Sequence, residues 1–223
     1  MTRTSSVRSD WLRVEPRVQL KRVSSYVASP TKRGFDFVLA LLIVMILCPV
    51  MIVIAAVIKF TSPGPILFRQ IRYGARQKAF PVYKFRSMEC RSAHDPEVRQ
   101  ATPRDPRVTP FGRFLRRTSL DELPQLINVL RGEMSLIGPR PHAVAHDEFF
   151  MNRVPRYARR FSVRPGITGL AQVSGARGET RTDADMKRRV DLDIYYIENA
   201  SILLDLKILV ATAHEVLFSV DAY

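Results

Sequence analysis

Cysteine is scarce in this 223-residue chain, with Cys48 and Cys90 the only two. One lies in an apolar run and the other in a polar stretch. A disulfide framework is therefore not expected, and a reducing compartment fits. With four histidines besides, nothing supplies the short ligand spacings that a structural zinc site needs. Internal repeats, low-complexity segments and nucleic-acid motifs are also missing. Acidic residues are in deficit: 21 Asp and Glu stand against 35 Lys and Arg, a net charge of +14. Such an excess points to a polyanionic partner, either a phosphate-rich substrate or an anionic membrane surface. Nucleic acid, without a motif to carry it, is not expected.

What the chain does have is one long apolar run. Phe37 to Ile58 is uncharged throughout. As a helix it would measure about 33 Å, enough to cross a hydrocarbon core of about 30 Å. It starts too late for an ordinary signal peptide and has no small-residue cleavage pattern. No second run is long enough to span. Pro49 sits near its middle, where a missing N–H and a steric clash predict a kink. Lys32 and Arg33 precede the run, and Lys59, Arg69 and Arg72 follow it, so the positive-inside tendency draws both ends to the cytoplasm. A helix bent at Pro49 would enter and leave one leaflet. A straight single span is the alternative.

Three regions follow from this pattern: residues 1–31 as a basic mobile tail, 32–60 as the anchor and 61–223 as a cytosolic domain. The segment Thr61-Ser62-Pro63-Gly64-Pro65 breaks the chain after the anchor. Ile66–Ile71 and Phe80–Phe85 read as strands around a turn near Gly74. Arg91–Thr109 reads as a loop. Helical spacing then dominates: Phe111–Arg117, Leu123–Leu130, Val144–Arg160 interrupted at Pro155, Asp183–Asn199 and Ser201–Phe218. The fold class is α+β and mostly helical, with a small β-hairpin. Arginines 113, 116 and 117 beside Phe114, and 156, 159 and 160 beside Tyr157, suggest basic amphipathic helices at a membrane interface; ordinary solvated faces are the alternative.

The densest chemistry is Arg116-Arg117-Thr118-Ser119-Leu120-Asp121-Glu122-Leu123-Pro124. Ser119 and Glu122 have capping-box spacing, or Pro124 opens the helix. Either way the two carboxylates meet the positive end of the helix dipole, which favours their ionised state. Carboxylates near arginines can bind a divalent metal or attack phosphorus; a plain helix cap is the alternative. Gly138-Pro139-Arg140-Pro141 holds a planar cation on a stiff loop, suited to phosphate or a base edge. Lys84 and Arg86 alternate onto one face of a strand, where two cations could hold a diphosphate. Arg164-Pro165-Gly166-Ile167-Thr168-Gly169 is turn-rich, and Asp191, Asp193, Tyr195 and Tyr196 share a helix. His142 and His146 lie four apart beside Asp147, a spacing that could hold a metal. Lacking the usual Glu after the first His, they read as surface histidines.

In this order, the segments resemble the bacterial sugar transferases, the monotopic phosphoglycosyl transferases of exopolysaccharide type. The likeness covers nearly everything from Lys32 to Phe218. It includes Lys32-Arg33 with Asp36, Pro49, Lys84 to Met88, Ser119 to Leu123, Gly138 to Pro141 and Arg164 to Gly169. The resemblance implies a re-entrant helix broken at a Ser-Pro pair, with Cys48 here replacing the serine, and a compact catalytic domain on the cytoplasmic face of the bacterial inner membrane. It implies transfer of hexose-1-phosphate from a UDP-sugar to polyprenyl phosphate through a covalent aspartyl intermediate, with Mg²⁺. Asp121 would be the nucleophile, and Glu122 would help with metal or proton handling; both are the metal candidates. Arg140 with Pro139 and Pro141 matches the nucleotide contact, and Lys84, Arg86, Arg116 and Asp193 are further substrate-binding candidates. The sugar expected is glucose or galactose, membrane lipids are partners, and a homo-oligomer is compatible with the reading. A membrane-tethered, non-catalytic basic module binding anionic lipid explains the anchor and the charge, but not the paired carboxylates.

Overall fold

The computed structural model describes residues 22–89, 105–176, 178, 180 and 182–218. Most of the tail, Cys90 and most of the expected loop before Thr109 lie outside these. The described residues open with a short 3₁₀ turn, Ser25–Ala28, followed by α1, Pro30–Thr61. Ser29 caps α1 by accepting from the Lys32 amide at 3.1 Å, and Pro30 opens it where no N–H is needed. The helix continues through Pro49, which has no N–H to give the Met45 carbonyl. It stops at Ser62-Pro63-Gly64, where Gly64 takes φ 117°.

The burial of α1 is uneven. Lys32, Asp36 and Ala40, spaced by four, are buried at one end, and Ile54 and Ile58 at the other. Between them Leu42, Met45, Ile46, Ile52 and Val53 stand out, with Ile46 73% exposed. Contiguous exposed apolar surface of this kind needs a non-aqueous neighbour. Both helix ends, however, dock on the folded body. At the first end Lys32 Nζ bridges Asp36 and Asp205 at 2.9 and 2.7 Å, and Asp36 accepts from Ser135 Oγ and the Leu136 amide. Arg33 donates to the Val129 and Leu130 carbonyls. At the second end Arg86 donates to the Ser62 carbonyl and hydroxyl, each at 2.8 Å, while Ile54 and Ile58 pack on Phe85 and Leu115.

Strands β1 (Leu67–Tyr73) and β2 (Ala79–Phe85) form the expected antiparallel hairpin, from Leu67 opposite Phe85 to Tyr73 opposite Ala79. Helices α2 (Pro110–Arg117) and α3 (Gln125–Arg131) follow. A second strand pair, β3 (Ser135–Ile137) and β4 (Gly166–Thr168), is parallel and falls where the sequence reads only as turns. Glycine makes it possible: a Cβ on Gly166 would sit 2.1 Å from the Gly138 amide nitrogen. The stretch from Val144 to Arg160 is interrupted around Pro155 as expected, with α4 (Val144–Met151) before the break and a 3₁₀ segment, Tyr157–Ser162, after it. Short α5 (Leu170–Val173) precedes the two closing helices, α6 (Asp183–Asn199) and α7 (Ile202–Phe218). Thr182 and Asp185 complete a capping box on α6. The main core gathers Val82, Leu126, Val129, Met134, Ile137, Leu170, Tyr196, Ile197 and Ile208. A second core, with Phe150, Tyr157, Phe161, Met186, Val190 and Ile194, lies behind the loop after β3.

Candidate active site at the Asp121-Glu122 turn

Helix α2 ends when Ser119 enters the left-handed region, φ 58°. One 3₁₀ turn, Leu120–Glu122, then leads through Pro124 into α3. The expected capping box is not made: the Ser119 side chain makes no cap bond, and its backbone carbonyl takes the Glu122 amide instead. A left-handed Ser119 does not cap the helix, and backbone bonds close the turn.

The turn sends its carboxylates to different fates. Glu122 receives Lys84 Nζ from β2 at 2.7 Å. It also receives the Arg140 fork, Nη1 to Oε2 at 2.9 Å and Nη2 to Oε1. Both oxygens are thus held by cations, in a two-pronged geometry suited to guanidinium. Burial alone would raise the Glu122 pKa, but Arg140 and Lys84 overcome it and hold this carboxyl well below its usual range. Asp121 is 7% exposed, and its burial lifts the pKa to about 6 against the pull of Lys84, Arg116 and Arg140, with Glu122 adding repulsion. The helix dipole does not decide the matter for Asp121; desolvation does. With a value near 6 it is mostly an anion at neutral pH. Two adjacent acids driven apart in this way mark an acid–base or nucleophilic pair.

Lys84, Glu122, Asp121 and Arg140 are brought together as the sequence predicts, with Arg116 close enough to act on Asp121. Arg86 is not at the carboxylates. It is 5% exposed and binds the end of α1, because the face it shares with Lys84 passes from the turn to the anchor within one alternation. Asp193 does not line open space either. It is 2% exposed and takes Arg160 Nε at 2.8 Å. Pro139 and Pro141 contribute carbonyls to Gly166 and Arg72. His142 is buried rather than a surface residue, and burial together with Arg160 and Arg189 pushes its pKa well down. The arginines at 156, 159 and 160 pair with Asp191, Glu198 and Asp193 of α6. Arg72, read from sequence only as a charge flanking the anchor, stands within electrostatic reach of Glu122 and Arg140, and burial lowers it to about 10. The alternation of β1 puts it opposite Phe80, and only that register could have revealed it.

Among the described residues no group of three His, Cys, Asp or Glu could hold a metal. Magnesium does not need one, since it is commonly held by one or two carboxylates plus substrate phosphates and water. The turn supplies that number, with Asp121 free of the Glu122 ion pairs.

The bacterial sugar transferase family profile matches residues 27–219. Among curated relatives, the UDP-glucose:undecaprenyl-phosphate glucose-1-phosphate transferase of Escherichia coli (strain K12) is 52% identical over 86% of this chain and 41% of its own length. The protein of that name from Caulobacter vibrioides is 50% identical over 86% of this chain and 72% of its own. An exopolysaccharide production protein of Rhizobium leguminosarum bv. phaseoli is 46% identical over 81% of this chain and 92% of its own. This chain therefore spans less than half of the Escherichia coli relative but most of the other two. With the match running from the first turn before the anchor to the last helix, the chain belongs to the bacterial sugar transferase family.

Proposed function

We propose that this chain moves hexose-1-phosphate from a UDP-sugar to polyprenyl phosphate, the first membrane step of a glycan assembly. The observation that carries this is the unequal fate of the neighbouring acids: Glu122 holds the cations, and Asp121 is left beside them. An Asp121 oxygen attacks the β-phosphorus, and the bond from that phosphorus to the bridging oxygen breaks. UMP leaves with those electrons. The sugar phosphate is then esterified to Asp121 until a polyprenyl phosphate oxygen attacks the same phosphorus and frees the carboxylate. Lys84, Arg116 and Arg140 balance charge on the donor's phosphates, the main requirement of phosphoryl transfer. Magnesium, held by Asp121 with the donor's phosphates, would neutralise the diphosphate oxygens. The relatives' names favour glucose as the sugar.

The membrane placement rests on α1. Its 32 residues would measure about 48 Å as a straight rod, yet both ends dock on one folded body. Ends bound to the same body lie on the same side of a bilayer, which supports a re-entrant helix with the catalytic body on the cytoplasmic face. The apolar middle then faces lipid, and the carboxylate turn sits near headgroup level.

Membranes carrying the protein, given radiolabelled UDP-glucose and undecaprenyl phosphate, should release UMP and form lipid-linked label. Asp121→Asn should abolish both, along with any covalent phosphosugar adduct. UMP release without Asp121 would overturn the mechanism; lipid binding with no turnover in the parent would favour a non-catalytic basic module.

A further inference from the structure

Arg140 reaches Glu122 from a loop with little freedom of its own. Pro139 and Pro141 fix the backbone on both sides. Three consecutive carbonyls of the loop are also held. Pro139 O accepts from the Gly166 amide at 2.9 Å. Arg140 O accepts from Arg160 Nη2 at 2.5 Å, and Pro141 O accepts from Arg72 Nη1. Two guanidinium groups from distant parts of the chain thus grip adjacent peptide carbonyls immediately behind the arginine that binds Glu122.

Each gripping arginine is itself fixed. Arg160 is 4% exposed. Its Nε donates to Asp193 Oδ2 at 2.8 Å, and its Nη1 donates to the Tyr157 hydroxyl at 3.0 Å. That hydroxyl donates to Asp147 Oδ1 at 2.7 Å and lies 2.7 Å from His142 Nδ1. Arg160 Nη1 and Arg189 Nη1 face the two ring nitrogens of His142, Nδ1 at 3.1 Å and Nε2 at 3.3 Å. Arg72 donates its Nη2 to Gln70 at 2.9 Å, and its backbone bridges to Ala143 just past the loop. Burying so many charges to hold one loop is costly, and an apolar core would serve stability as well.

We propose that Arg160, braced by Asp193, and Arg72 are positioning residues: by clamping the Arg140 and Pro141 carbonyls they keep the Arg140 guanidinium on Glu122 and off Asp121. This rests on the reading of Asp121 as the nucleophile. With the clamp slack, Arg140 can shift toward the neighbouring carboxylate, and the division of labour between the two acids fails. Asp193 then matters to the reaction without touching substrate.

The test uses the full chain in membranes with UDP-glucose and undecaprenyl phosphate. Arg160→Lys keeps the charge facing Asp193 but cannot also reach the Arg140 carbonyl with a planar fork. It should lower kcat/KM on the order of 10²-fold. The KM for UDP-glucose should rise, and the acidic limb of the pH profile should move to lower pH as the Arg140 guanidinium shifts toward Asp121. Arg72→Lys should do the same from the other side, and it leaves the Asp193 pair intact should Arg160→Lys fold poorly. Asp193→Asn, which still offers an oxygen to Arg160 Nε, should retain more activity than Asp193→Ala. Asp191→Asn, two residues earlier on α6 and paired with Arg156 and Lys187, is the control for a lost ion pair; it should match the parent in KM and pH limb. Folded Arg160→Lys and Arg72→Lys with the parent's KM and pH limb would overturn the clamp. If Asp121→Asn still forms the covalent adduct, the mechanism fails instead, whatever the clamp variants do.

Discussion

Two buried ionic clusters in this chain are built on opposite plans. At the start of α1, one cation, Lys32, serves two anions, Asp36 and Asp205, and neutral donors complete the set. Asp205 also accepts from Tyr26 at 3.0 Å and Tyr196 at 2.8 Å, and Asp36 from Ser135 at 2.8 Å. Every oxygen of both carboxylates has a named partner. At the Asp121-Glu122 turn the ratio is reversed. Lys84 and Arg140 converge on Glu122 alone, and the adjacent Asp121 is left to desolvation. The first plan fixes a helix. The second commits its cations to one acid and leaves the other raised by burial. A satisfied network is a structural joint, and an uneven one is where chemistry is to be sought.

The sharpest way to break this contrast is Asp121→Asn. UMP release should fall on the order of 10⁴-fold or more, the scale of losing a covalent nucleophile, as measured with radiolabelled donor. Next is Lys32→Ala, which strands two buried carboxylates. Removing one partner of such a set costs about 3–5 kcal/mol, visible as an earlier denaturation midpoint with little change in the KM of whatever remains folded. The third prediction concerns stability at the turn. The Asp121 pKa is raised in the folded protein to about 6 from an unfolded value near 3.8. Its contribution is therefore full below that unfolded value and is lost as pH rises through 6. Asp121→Asn should thus be more stable than the parent at pH 7, by up to about 3 kcal/mol, and the gain should vanish by pH 4. A parent with no such pH-dependent deficit would mean that Asp121 is not strained by burial. Smallest is Arg69→Ala. This exposed cation lies 5.5 Å from the Tyr83 ring and should shift stability by no more than about 1 kcal/mol.

Much of this was legible in residue order. The uncharged run from Phe37, the alternation through Phe85 and the spacing of Leu123, Leu126, Ile127 and Leu130 each predict an element that forms, because local periodicity governs them. The carboxylate turn, Lys84 and Arg140 were also legible, since unusual charge beside Pro and Gly stands out. The parallel pair β3–β4 was not. Its strands are three residues each, lie far apart in the chain and are joined by glycine contacts that leave no periodic trace. Arg86, Asp193, Arg160 and His142 were misread or passed over for a related reason. A buried polar side chain looks like a surface one until its partner, tens of residues away, is known. Ser119 failed as a cap because spacing alone does not reveal a left-handed backbone.

The long first helix, secured at both extremities and bare between them, has a practical consequence. Its joints are ion pairs and hydrogen bonds to the protein's own body, and only the central stretch is left for acyl chains. Detergent can therefore replace those chains without loosening either joint, so mild solubilisation should yield a protein that keeps its fold.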